Sequence, residues 1–120
     1  MAYRQRNSHT SRAYRTMMRE REARRREWAT LYAEENCNMA RLIYRMIRHE
    51  GEWGISLRKI RGEVWYILTK LMDEPSSPHD GEIRYILQSK LIATGYVEHV
   101  RHGSSDEDHY RVTIRGRKSS

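Results

Sequence analysis

An apolar stripe from Trp28 to Ile47 constrains the fold of this chain more than any other feature. Trp28, Leu31, Tyr32, Met39, Leu42, Ile43, Met46 and Ile47 recur at three- and four-residue spacings, the period that places side chains on one face of an α-helix. A face of that kind must be covered, so this part of the chain folds by packing helices. The phase is kept across Asn36 and Asn38, which fits one long rod as well as two helices, the second capped near Met39. The helical run ends before Gly51, with Arg45, Arg48 and His49 placed to complement the negative helix end.

Two further helices follow. Ser56 caps one over about residues 56–73, with the stripe Leu57, Ile60, Val64, Leu68 and Leu71. Gly62 inside it costs about 1 kcal/mol relative to Ala. Glu74-Pro75-Ser76-Ser77-Pro78 stops that helix. Ser77 as cap, Pro78 in the first turn and acidic Asp80 then open a third helix over about residues 78–94, with Ile83, Ile86, Leu87 and Leu91 facing inward. Gly95 closes it. Beyond Gly95 the period becomes two: Tyr110, Val112 and Ile114 alternate with Arg111, Thr113 and Arg115. Paired with Tyr96 to Arg101, this run forms a β-hairpin over about residues 96–115, with a polar loop from His102 to His109. The expected fold is mainly α with a small β-hairpin, in one domain, as 120 residues allow.

Charge divides the chain differently. The formal net charge is +7, and residues 1–26 account for all of it. They hold nine arginines (Arg4, Arg6, Arg12, Arg15, Arg19, Arg21, Arg24, Arg25 and Arg26) against Glu20 and Glu22, so 9 − 2 = +7. Residues 1–35 therefore read as an arginine-rich arm, residues 36–116 as a neutral folded domain, and residues 117–120 as a short tail. From Ser11 to Glu35 the arm lacks Pro and Gly, and its Arg, Glu, Ala and Met favour helix. Its centre, Arg19 to Glu27, is so charged that it is expected to stay exposed and to be ordered by a partner. Arginine outnumbers lysine 19 to 4, which suits phosphate binding because the planar guanidinium forks onto phosphate oxygens.

Several classes are excluded or thinned. No stretch approaches the roughly 20 apolar residues of a spanning helix, and no apolar core of a secretory signal follows the basic start. An intracellular location is expected. Residues 1–19 share the arginine-rich, acid-poor character of a mitochondrial presequence, but Glu20, Glu22 and Glu27 follow at once. Cys37 stands alone, is read as a small apolar residue, and offers no disulfide or cysteine zinc site. No Gly-rich phosphate loop, nucleophile elbow or HExxH motif occurs, and no enzymatic activity, cofactor or resident metal is expected. His99 and His102 are three apart on a strand and point to opposite faces. Trp28, Trp53 and Trp65 are expected as core anchors.

Three helices followed by a hairpin resemble the winged helix-turn-helix superfamily. The likeness rests on Ile83-Arg84-Tyr85-Ile86-Leu87-Gln88-Ser89-Lys90-Leu91-Ile92-Ala93-Thr94-Gly95-Tyr96-Val97, similar to a third helix running through a glycine turn into the first wing strand. The resemblance implies a DNA-binding module whose third helix enters the major groove while the wing touches neighbouring backbone. By position it puts Arg84, Tyr85, Gln88 and Ser89 at the groove, Lys90 at its edge and Arg111 on the wing. Arg and Gln side chains fork onto guanine and adenine edges. His79, Asp80 and Glu82 make the start of that helix acidic, and Asp106, Glu107 and Asp108 put three carboxylates on the wing, which would repel phosphates.

The leading expectation is a small DNA-binding transcriptional regulator whose arm contacts phosphates. The alternative is a protein-interaction module that docks on a polymerase or ribonucleoprotein through Asp106, Glu107 and Asp108 while the arm binds RNA. Nucleic acid is the expected partner, duplex DNA ahead of RNA, with no membrane. A homodimer through the Trp28–Ile47 stripe is compatible with both.

Overall fold

The computed structural model describes residues 2–101 and 107–118, with side chains over residues 11–101 and 107–117. The chain is mainly helical with a small three-stranded antiparallel sheet. Helix α1, Ala2–Glu34, is followed by α2, Met39–Glu50, and by a single 3₁₀ turn, Gly51–Trp53. Strand β1, Ile55–Ser56, leads directly into α3, Leu57–Trp65. Helix α4, Asp80–Ile86, precedes strands β2, Val97–Val100, and β3, His109–Val112, and a short helix α5, Ile114–Lys118, ends the order.

The Trp28–Ile47 stripe belongs to two helices. Asn36 and Cys37 take left-handed backbone conformations, φ 57° and 56°, and the Cys37 N–H donates to the Tyr32 carbonyl at 2.8 Å, a helix-terminating turn. Asn38 then caps α2 by accepting from the Arg41 N–H at 3.2 Å. The break folds α2 back on α1, and Trp28 meets His49 edge-on at 5.9 Å between ring centres. Trp28, Tyr32, Leu42, Ile43, Met46 and Ile47 are all buried in the one core. The surface that a dimer through this stripe would have used is thereby occupied within the chain. Cys37 is exposed in the turn, not packed as a small apolar residue.

Beneath the helices, β3 is the central strand of the order β1-β3-β2. Ile55 faces Tyr110 and Ser56 faces His109, while Val97 faces Val112 and Val100 faces His109. Strand β1 is too short to carry a period in sequence. Gly54 admits it: φ is +80°, and a Cβ there would stand 2.7 Å from the Tyr110 carbonyl oxygen, so a side chain would push β1 off β3.

Helix α3 starts where expected, with the Ser56 hydroxyl accepting from the Lys59 N–H at 3.1 Å. Both α3 and α4 continue as π-helical segments, Tyr66–Leu71 and Leu87–Ile92. Gly62 is exposed, with nothing near its missing Cβ, and α3 does not break there. The cap of α4 is His79, two residues beyond Ser77: its Nδ1 accepts from the Gly81 and Glu82 N–H groups, and Glu82 reaches back to the His79 N–H. Pro78 thus precedes the cap.

The hairpin is shorter than its sequence period suggests. After Val112 the Thr113 N–H bonds the Tyr96 carbonyl at 3.0 Å, and the Thr113 hydroxyl donates to the Gly95 carbonyl at 2.6 Å while accepting from the Gly116 N–H at 3.0 Å. The chain turns into α5, and Ile114 ends 69% exposed instead of facing the core. Residues 117 and 118 belong to this helix and not to a separate tail. The Tyr44 hydroxyl clamps it by donating to the Gly116 carbonyl at 2.5 Å.

Candidate nucleic-acid interface

Helix α1 has two halves with different surroundings. Its 33 residues rise about 50 Å, close to the longest dimension of the molecule, 56 Å. Over residues 11–20 every side chain except Met18 is exposed. Arg12, Arg15 and Arg19 fall at spacings of three and four, within about 60° of arc on the helix. Trp28 and Tyr32 point to the opposite side, so this arginine stripe faces away from the core. Among the described residues none of these three forms an ion pair. Arg26 continues the stripe, paired with Glu22 at 3.2 Å. Arg4 and Arg6 lie in α1, but their side chains fall outside the described residues.

The other arginines of the arm turn inward. Arg24 stacks on the Trp28 ring at 5.7 Å, and Arg21 lines the same crevice beside Glu50, Lys59 and Glu63. Arg25, expected among the phosphate contacts, is committed to the interior. Its Nε and Nη2 donate to the two oxygens of Glu63 at 2.7 and 2.9 Å, and its guanidinium lies 4.1 Å from the Tyr66 ring centre. The Glu63 carboxylate raises the Arg25 pKa through that hydrogen bond. The Tyr66 hydroxyl donates to Glu22 at 2.7 Å, which lowers the Glu22 pKa and raises that of Tyr66. The charged centre of the arm, expected to be exposed, is so only in part: Arg19, Glu20, Ala23, Arg26 and Glu27 are exposed, while Glu22 and Arg25 dock on α3 and its π-helical continuation.

On α4 and its π-helical continuation, Tyr85, Gln88 and Lys90 are exposed, and the Ser89 hydroxyl donates to the Tyr85 carbonyl at 2.6 Å. Arg84 reaches Asp108 at 3.2 Å, and the same carboxylate bonds His99 Nε2 at 2.8 Å. The His99 contact holds Asp108 below its ordinary pKa. Arg111 pairs across the strands with Glu98 at 2.6 Å. Glu107 and Asp108 fold back on the helices: Glu107 lies 3.6 Å from Arg58, a residue the sequence did not mark. Asp106 falls outside the described residues. Arg61, also unmarked, pairs with Asp80 at 3.3 Å. The signal for both was their spacing of three at the start of α3, hidden among ordinary surface charges.

Two tryptophans expected in the core are outside it. Trp53 is exposed on the 3₁₀ turn, and Trp65 is exposed on α3 with Lys70 over its ring at 5.3 Å. Among the described residues no group of three His, Cys, Asp or Glu could hold a metal ion, and no helix is long and apolar enough to cross a membrane. Comparison with protein-family models, curated proteins and solved structures finds no match for this chain.

Proposed function

We propose that the protein binds nucleic acid through the projecting half of α1, as a winged helix-turn-helix DNA-binding regulator. One observation carries this reading: Arg12, Arg15 and Arg19 form an outward stripe on a helix whose next turns are bolted to the domain. Guanidiniums held on a rigid helix and not neutralised by carboxylates attract phosphates and release counterions on binding. The order α2, β1, α3, α4, β2, β3 supports the winged-helix reading, with a hairpin directly after the third domain helix.

A second reading is favoured by the ion pairs of Arg84 with Asp108 and of Arg111 with Glu98. Arg84 and Arg111, assigned to groove and wing by the resemblance, are already balanced, so in this reading the domain docks on a protein partner while α1 follows RNA. Titrating the full chain against duplex DNA, single-stranded DNA and structured RNA at two salt concentrations separates the two. A regulator binds duplex best. If structured RNA wins at both salt concentrations, the DNA-regulator reading fails.

A further inference from the structure

Three arginines converge on one cleft between the start of α3, α4 and the turn before β3. Arg58 and Arg61, three residues apart on α3, and Arg84 on α4 line a cavity of about 250 Å³ together with Asp80, Glu107 and Asp108. Each guanidinium meets one carboxylate: Arg58 with Glu107 at 3.6 Å, Arg61 with Asp80 at 3.3 Å and Arg84 with Asp108 at 3.2 Å. The charges cancel. These pairs are built unlike Arg25–Glu63, which uses two parallel bonds at 2.7 and 2.9 Å in the interior. Here each contact is single, long and open to solvent, the kind of pair that contributes little to stability.

We infer that this cleft is a binding site for the nucleic-acid phosphodiester backbone, which the chain masks with its own carboxylates. The inference rests on the nucleic-acid reading above and adds a second, regulated contact to it. A guanidinium carries five N–H donors, and phosphate oxygens match its fork as well as a carboxylate does. An incoming phosphate therefore replaces Glu107 or Asp80 by exchange, without opening the fold, while Asp108 stays held by His99 at 2.8 Å. The Leu57 N–H holds the Asp108 carbonyl at 2.9 Å, so the strand stays in place while the side chains swing away. Until exchange occurs the carboxylates repel the backbone, and the wing sets the affinity.

The test compares three variants of the full chain with wild type, titrating a short DNA duplex across a salt series. Asp80→Asn/Glu107→Gln removes two masking charges. Asp73→Asn/Glu74→Gln removes the same charge from the link between α3 and α4, away from the cleft. The third variant adds Arg58→Gln and Arg61→Gln to the first. The expected result is binding about tenfold tighter, with a salt slope steeper by about two, for the unmasked variant alone. The third variant returns to wild-type affinity or below. Equal tightening by the Asp73/Glu74 control, no tightening by the unmasked variant, or a gain that survives loss of Arg58 and Arg61, overturns the proposal. Glu107→Gln alone repeats the measurement if circular dichroism shows α4 disturbed by Asp80→Asn. Arg12→Gln/Arg15→Gln/Arg19→Gln reports separately on α1: if it leaves wild-type binding unchanged, the proposed role of α1 falls, whatever the cleft variants show.

Discussion

The guanidinium of Arg25 and the carboxylate of Glu63, 38 residues apart, meet through two parallel hydrogen bonds, with side chains only 13% and 10% exposed. This pair ties α1 to α3 and so joins two regions of the chain that differ in charge. Replacing Arg25 by Met removes both hydrogen bonds from the buried Glu63 carboxylate. Urea unfolding is expected to show a loss of about 3 kcal/mol. Arg25→Met/Glu63→Leu recovers most of that loss, because a buried pair exchanged for apolar side chains is nearly neutral. Equal destabilisation of both variants would show that the pair acts through shape alone.

Acid should loosen two other contacts, those of Glu22 with Tyr66 and of Asp108 with His99. Glu22, with an ordinary value of 4.5, is held lower chiefly by the Tyr66 hydroxyl, and Asp108, ordinarily 3.8, chiefly by His99. A carboxylate with a depressed folded pKa binds its proton less readily folded than unfolded. Its contribution is complete above its ordinary value and is lost as pH falls through the folded one. Thermal stability is therefore expected to fall progressively below about pH 4.5. Glu22→Gln and Asp108→Asn should each flatten part of that decline. An unchanged acid limb in both variants would remove these groups from the account.

At Gly54 two constraints coincide, φ +80° and a Cβ position 2.7 Å from the Tyr110 carbonyl oxygen. Gly54→Ala is expected to cost at least about 2 kcal/mol and to expose the β1 amides first in hydrogen exchange.

The outward stripe of α1 predicts function without stability. Arg12→Gln/Arg15→Gln/Arg19→Gln should leave unfolding free energy within about 0.5 kcal/mol of wild type. The same substitutions should lower the slope of log K against log salt by up to about 2.7, at roughly 0.9 per phosphate contact.

Val112 and Ile114 test where the last strand ends. Val112 is buried and Ile114 exposed, although both lie on the same alternating run. Val112→Ala is expected to cost about 2 kcal/mol, whereas Ile114→Lys should change stability by less than about 0.5 kcal/mol.

Much of the architecture was legible along the chain because one covered face leaves a period. The stripe of α2, the Ser56 cap and inner face of α3, and the inward residues of α4 all follow from local spacing. Trp53 and Trp65 were misread because hydrophobicity alone does not say which side of a turn or helix a neighbour will cover. His79 displaced Ser77 as the cap of α4 because an imidazole nitrogen also accepts a backbone N–H. Strand β1 left no trace, since two residues have no period and their pairing is supplied by β3, more than 50 residues later.

The sequence by itself determined the helix-rich class, the concentration of positive charge in residues 1–26 and the change to a hairpin near residue 96. These depend on neighbours a few residues apart, whose side chains share a face or a field whatever the rest of the chain does. The division of the arginines was decided only in three dimensions. Arg12, Arg15 and Arg19 face outward, Arg25 is spent on Glu63, and Arg58, Arg61 and Arg84 are balanced by carboxylates of α4 and of the turn before β3. A guanidinium's role is set by the anion within its reach, and in a folded chain that anion is brought from distant positions by packing.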